Sequence, residues 1–461
     1  MGVTLLGAFL IPLCLLWWNR PERLIELTLI VGIFQAAAVA TIGGLGLQPP
    51  IAPSLAFLSF VALQFLLGAR YPGSALALRI CLPFILVGVW TVVGSLLLPR
   101  LFEDAVLVWP QKGDSVGGRI LLAPSSGNFT QDGYLVLNQV MLVFAACYFT
   151  KTNLKVDRFY KAYLLGGWIV CIVCFWQMAH RTAGVPFPDI FFYSNPSWAI
   201  LDTQMAGPVP RINATFTEPS ACASYLTGTI FSTIWIIIRG HRLRMASWLV
   251  PVSIMALCIT TSTTGYAALV VGAPMLMLYA ISTGSAPLIR RLSALSLIGV
   301  CFAGGGWLAA SALAPQALSA ASSVMSDTSK KQQSASYQER SQADADSLEV
   351  AAQTWGLGAG WGSNRASSLI PALLATIGVF GLIGLIFADW KILHAGLMAC
   401  RRAGTEYKAE ALAIDGMIGG LIGRVTAACI SGPTLGTLDF YTMIALIAAS
   451  VARVKGKIKA T

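Results

Sequence analysis

A few charged residues, placed where apolar runs begin, carry the chemistry this sequence offers. Arg211 and Glu218 lie in the stretch RINATFTEPS, directly before the long apolar run ACASYLTGTIFSTIWIII. Arg340 sits in a polar, Ala-rich stretch, and Asn364 and Arg365 end GLGAGWGSNR just ahead of another apolar run. A guanidinium presents a planar fork of donors suited to carboxylate or phosphate oxygens. A helix N-terminus with an arginine beside it is a ready site for an anion, which is the expectation for Asn364 and Arg365. Glu218 has two readings, a carboxylate that acts on a bound group or a plain helix cap paired with an arginine, because Pro219 suits the first helical position. Arg424 lies inside an apolar run, where an arginine is costly unless it faces protein or a cavity. Asp415, nine residues away, falls on the opposite helix face, so a cavity role is expected for Arg424. TSTTGY, residues 261–266, either caps two helices or binds sugar or phosphate oxygens.

What must position these residues is a membrane-embedded frame. The chain is 56% hydrophobic and 11% charged, with mean hydropathy +0.71. A soluble chain is roughly a quarter charged, so the deficit predicts an all-α polytopic membrane protein. Lipid admits only helices or closed barrels, and runs of about twenty apolar residues fit helices. Apolar spans are expected near 2–18, 24–46, 51–69, 80–98, 134–150, 159–180, 219–238, 245–261, 264–282, 292–313, 366–388, 409–430 and 435–452. That makes about 12 to 13 transmembrane helices in one integral membrane domain over residues 1–461. No cleavable signal peptide is expected, because the first span lacks a basic start.

Of the 31 Lys and Arg, 21 fall in alternate gaps and the C-terminal tail, which makes that side cytoplasmic. The net charge of +11 is therefore topology, not a nucleic-acid surface. Most of the remaining basic residues fall in three long loops on the opposite side, 99–133, 181–218 and 314–365. In the last of these, KKQQSASYQERSQADADSLEVAAQTW lacks Pro and Gly and predicts an amphipathic helix outside the membrane. Ser336 and Glu339 suit a capping box, and Tyr337, Arg340, Asp344, Leu348 and Trp355 share one broad face. The four glycines of GLGAGWG give a backbone able to approach a ligand closely. His180 is the one histidine near the outer side. Cysteine and histidine spacings suggest neither a disulfide framework nor a metal site.

RINATFTEPSACASYL, then TSTTGY, then a long outer loop ending GLGAGWGSNRASSLIPALLATIGVFGLIGL, resembles the O-antigen ligase and Wzy-type polysaccharide polymerase superfamily over about residues 205–388. The resemblance implies a GT-C-type helical fold in the bacterial inner membrane, acting at the periplasmic face on glycans carried by undecaprenyl diphosphate. The ligase branch has a histidine followed by Asn, Ser or Gln, then G-x-x-G. Here Ser368, Gly378 and Gly381 fit, but Ser367 stands where the histidine would be, which favours a polymerase of O-antigen or exopolysaccharide type.

On that resemblance, Arg211, Arg340, Arg365 and Arg424 would clamp the donor's diphosphate, the leaving group whose charge develops in the transition state. Glu218 would serve as base for inverting attack by an acceptor hydroxyl, with Asp344, Glu339 and His180 as alternatives. Tyr337 and Asn364 complete the candidates. Transfer is expected to need no metal or other cofactor. The expected partners are a lipid-linked donor and acceptor, membrane lipids and a possible chain-length regulator. A ligase, a lipid-linked glycan transporter and a structural scaffold are the alternatives.

Overall fold

The structure, a computed structural model, describes residues 2–110, 118–294, 296–297, 335–432 and 436–458. The helices are α1 (Leu5–Leu16), α2 (Pro21–Val31), α3 (Ile51–Leu66), α4 (Ser74–Leu101), α5 (Ser126–Tyr148), α6 (Asp157–Ala183) and the single turn α7 (Asp189–Phe192). They continue with α8 (Pro219–Ile238), α9 (Arg244–Ile259), α10 (Thr263–Ser282), α11 (Ala335–Gln353), α12 (Leu369–Arg402), α13 (Lys408–Ile430) and α14 (Leu438–Ile458). Six of the described helical segments are long and apolar enough to cross a membrane: α4, α6, α8, α10, α12 and residues 405–430. α1, α3 and α9 are shorter apolar helices. This is the pattern of a polytopic helical membrane protein, with each apolar run closing its own backbone hydrogen bonds.

Strands among the described residues are confined to short antiparallel ribbons. β1 (Gly2–Val3), β2 (Ala40–Ile42) and β3 (Leu45–Leu47) make one, β4 (Leu107–Val108) pairs with β5 (Ile120–Leu121), and β6 (Met205–Ala206) pairs with β7 (Val209–Pro210). They cluster with α7 and α11 at one end of the bundle, hereafter the ribbon end. At the opposite end, ion pairs join neighbouring helices: Arg158 to Glu26 at 2.6 Å, Arg239 to Asp415 at 3.0 Å and Arg453 to Glu410 at 2.8 Å.

One expected span differs from the fold. The helix of the expected span 24–46 stops at Val31, and the chain turns through Gly43 and Gly44, both at positive φ, into the β2–β3 hairpin. Two consecutive left-handed residues suit a hairpin and are incompatible with a helix. Much of the span 292–313 lies outside the described residues, as do 111–117 and 314–334 of the expected loops.

The spine of the bundle is α8 against α13. A Cβ on Gly419 would come 2.8 Å from the Phe231 carbonyl oxygen, and one on Gly423 2.7 Å from that of Thr227. Gly419 and Gly423 thus give α13 a small-residue surface that lets two backbones touch, the way helices gain packing in lipid, while Gly416 and Gly420 make room for Tyr160 of α6 and Met443 of α14. Reading glycines only in loops misses this face, although the small-x-x-x-small spacing of GMIGGLIG is plain in the sequence.

α12 is broken rather than continuous. Gly378 has φ 70° and ψ −172°, and the carbonyls freed by the break are taken up by protein. Ala359 N–H donates to Ala375 O at 2.7 Å, Gly360 N–H to Thr376 O at 3.0 Å, and the Trp90 indole to Ile377 O at 2.9 Å. Val379 N–H in turn donates to Gly356 O at 2.8 Å. The glycine loop 356–362 is therefore folded against the chain's own backbone. A Cβ on Gly358 would lie 2.7 Å from Thr376 O, and one on Gly360 2.8 Å from Pro99. These glycines permit a close approach, as expected, but the approach is to protein.

Candidate functional site

RINATFTEPS forms a rigid inner loop at the ribbon end. Asn213 is fully buried: its amide donates to Phe216 O at 2.6 Å and accepts from Gln177 at 2.7 Å. Gln177 returns its own oxygen to Ala214 N–H at 2.8 Å, holding Ala214 at φ 50°. Thr215 donates its hydroxyl to Ile33 O at 2.7 Å. The Asn213-Ala-Thr215 triplet is thus a structural latch, not a surface glycosylation sequon. It fixes both ends of the loop, Arg211 and Glu218.

Arg211 is held from the β6–β7 hairpin: its backbone N–H donates to the Gln204 carbonyl oxygen and its Nη1 to Gln204 Oε1, each at 2.9 Å. Its Nε is buried with no hydrogen-bond partner among the described residues. Burial lowers the pKa of this guanidinium, the neighbouring Arg340 lowers it further, and Glu218 works in the opposite direction. Arg211 is a cation short of negative charge.

Glu218 stands at the N-cap of α8 with Pro219 at the first helical position, as the sequence predicts. Yet its side chain makes no capping hydrogen bond. The carboxylate turns instead to Arg340 of α11, with Oε2 3.5 Å from Nη2. That distance is longer than the roughly 2.7–2.9 Å of a tight charge-assisted bond. Arg340 also reaches the Ser431 hydroxyl, 3.3 Å away, at the end of α13. The Ser220 hydroxyl, in the first turn of α8, is buried and has no partner among the described residues. Arg211, Glu218 and Arg340 therefore come together from three separate elements. Gln204 and Ser220 join them with no sequence signal beyond nearness to the motif, and Ser431, at the end of α13, with none.

The other candidates lie differently. Asp344 accepts from the N–H groups of Ser367 and Ser368 at 2.7 and 2.9 Å, and from the Ser368 hydroxyl at 2.7 Å. The start of α12, expected to receive an external anion, is occupied by this carboxylate of the protein itself. Asn364 is buried, accepting from Trp109 N–H at 3.0 Å and donating to Ser347 at 2.8 Å, so it ties loops together. Arg365 is exposed, and its backbone N–H donates to Trp109 O at 2.8 Å. His180 keeps to its own turn: Nδ1 is 2.7 Å from Val185 O and the ring stacks on Phe187. The Tyr337 and Ser336 side chains lie outside the described residues, and Glu339 is exposed.

Arg424 is buried and paired with Asp439 of α14, donates to Thr437 at 3.1 Å and lies over the Phe440 ring. Gly228 makes room for its stem, since a Cβ there would meet Arg424 Cγ at 2.6 Å. The expected cavity role gives way to an internal ion pair, because α14 returns a carboxylate to the depth of the arginine.

α11 is a helix as expected. Ala343, Asp346, Ser347, Val350 and Thr354 pack inward, while Leu348 and Trp355 are 47% and 83% exposed. Polar pairing decides this choice: Asp346 accepts from the Trp109 indole at 2.8 Å and from Arg119 at 3.3 Å. In TSTTGY the Thr261 hydroxyl donates to Thr260 O and Tyr266 to Cys258 O, each at 2.9 Å, whereas the buried Ser262 hydroxyl has no partner among the described residues.

Chemically, the cluster can hold an anion. A phosphate-like group would supply the charge Arg211 lacks and compete with Glu218 for the Arg340 fork, leaving the carboxylate free to accept a proton. No family model matches the chain, and comparison with curated proteins gives no match.

Proposed function

We propose that this chain is a glycosyltransferase of the Wzy-type polysaccharide polymerase kind, with a GT-C-type fold, in the bacterial inner membrane. It joins oligosaccharide repeat units carried on undecaprenyl diphosphate, and the ribbon end faces the periplasm. The observation that carries the reading is Glu218: a carboxylate at a helix N-cap that caps nothing and meets Arg340 loosely, with the under-neutralised Arg211 beside it. Ionic groups gathered without tight pairing suit a ligand that brings its own charge. In this reading Arg211 and Arg340 hold the donor diphosphate. The acceptor hydroxyl attacks the anomeric carbon, its proton passes to Glu218, and the glycosidic bond to the diphosphate breaks with inversion. The charge left on the diphosphate is stabilised by the two guanidinium groups. The proposed transfer uses no cofactor. Arg365 is near enough in sequence to the α12 start to guide the lipid-linked substrate, whereas Arg424 supports the frame.

The break in α12 favours a second reading, transport, since transporters often use discontinuous helices. There the freed backbone groups face the cargo. Here the carbonyls of Ala375, Thr376 and Ile377 already have protein donors, which weighs for chemistry at one face.

Arg211→Ala tests the proposal. The variant should insert and purify as wild type yet lose polymerisation of a diphosphate-linked repeat. Retained polymerisation in folded Arg211→Ala protein would overturn the clamp.

A further inference from the structure

At the end opposite the ribbons, a cleft of about 430 Å³ opens between α4, α12 and α14. Arg79, Lys391, His394, Arg402 and Lys455 supply its polar wall, and no carboxylate lines it. Other arginines at this end are engaged: Arg158, Arg239 and Arg453 each meet an acidic partner. Among the described residues, none of the cleft's cations forms an ion pair; Lys391 donates only to the Arg79 carbonyl, at 2.6 Å. The remaining wall is apolar, with Leu76, Ile80, Ala395 and Met398 beside Trp390, whose ring is 57% exposed and stacks on His394 at 5.5 Å.

The cleft lies where two membrane-length helices, α4 and α12, reach their ends. Cations without ion-pair partners among the described residues, beside an apolar wall that carries an exposed tryptophan, match a molecule that is anionic at one end and hydrocarbon at the other. A free phosphate would satisfy the cations but leave the apolar wall uncovered. We infer that the cleft is a binding site for an anionic phospholipid, its phosphate held by Arg79, Arg402 and Lys455 and its acyl chains lying along α4 and α12. The site is far from the Glu218 cluster and does not depend on the proposed reaction.

Native mass spectrometry of the full chain, released from detergent after titration with phosphatidylglycerol or phosphatidylcholine, tests this. Wild type should hold phosphatidylglycerol at least about tenfold more tightly than phosphatidylcholine. Each cation near a membrane surface adds a comparable increment, so Arg79→Gln/Arg402→Gln/Lys455→Gln should weaken phosphatidylglycerol on the order of a hundredfold. Phosphatidylcholine binding should fall far less, because its choline cation already opposes these side chains, and an unshifted thermal unfolding transition reports that the variant is folded. Excess glycerol phosphate should fail to displace the lipid. Equal affinity of wild type for the two lipids would overturn the inference, and so would displacement by glycerol phosphate, which would make the cleft a site for soluble anions.

Discussion

Replacing Glu218 by Gln separates catalysis from capping. The substitution keeps the size and the hydrogen-bonding reach of the side chain and removes its charge and basicity. Because the carboxylate makes no cap bond, α8 loses nothing of the roughly 0.5–2 kcal/mol that a true side-chain cap contributes. What is lost is the pair with Arg340, at 3.5 Å with side chains 27% and 43% exposed. A pair so open to solvent is worth about 0–1 kcal/mol, and the Gln oxygen can still accept from Arg340. Stability should therefore be nearly unchanged, with an apparent unfolding temperature within about 2 °C of wild type. Turnover should not be. A positioned general base contributes about 10²–10⁴ in rate, equivalent to about 3–5 kcal/mol of barrier. The assay is the initial rate of consumption of a lipid-linked repeat, with thermal unfolding followed in the same detergent. Glu218→Gln protein that is folded and turns over within a few-fold of wild type would refute the base role.

Two further predictions concern the frame. Gly378→Ala forces a Cβ onto a residue at φ 70°, ψ −172°, a region open essentially to glycine, and sets it 2.3 Å from the Gly356 carbonyl oxygen. The combined strain and overpacking should cost about 2–5 kcal/mol and lower the apparent unfolding temperature, and an unshifted transition would show that the break in α12 is not as described. Arg424→Met strands a buried Asp439, at a cost of about 3–5 kcal/mol, which Asp439→Leu in the same chain should largely restore. If Arg424→Met folds normally and loses only turnover, the residue is a substrate clamp after all.

Six of the expected spans were legible as helices long and apolar enough to cross a membrane, because such helices announce themselves through uninterrupted apolar runs, and α8 begins where Pro219 places it. The same logic overran at Ala36 to Gly46, where small apolar residues continue in composition but the chain leaves the helix. Neighbourhood in space was less legible. Arg340 meets Glu218 across 122 residues of chain, and periodicity within α11 is silent on that pairing. Leu348 and Trp355 stay exposed, whereas α11 docks through Ala343, Asp346, Ser347 and Val350, a choice that its periodicity does not carry. Spacing within its own helix relates Arg424 only to Asp415, whereas its partner, Asp439, comes from the next helix. Helical geometry predicts neighbours three or four positions away; it carries no information on which helix returns alongside.

The most direct measurement supplies the purified protein with an undecaprenyl-diphosphate-linked repeat unit, without added nucleotide or metal, and separates the products by size. A ladder rising in increments of one repeat is the result predicted here. Consumption of the repeat only when a lipid A core is added, with no ladder, would make the chain a ligase. Inert substrate, across several authentic repeat units and with protein shown to be folded, would contradict glycosyl transfer altogether.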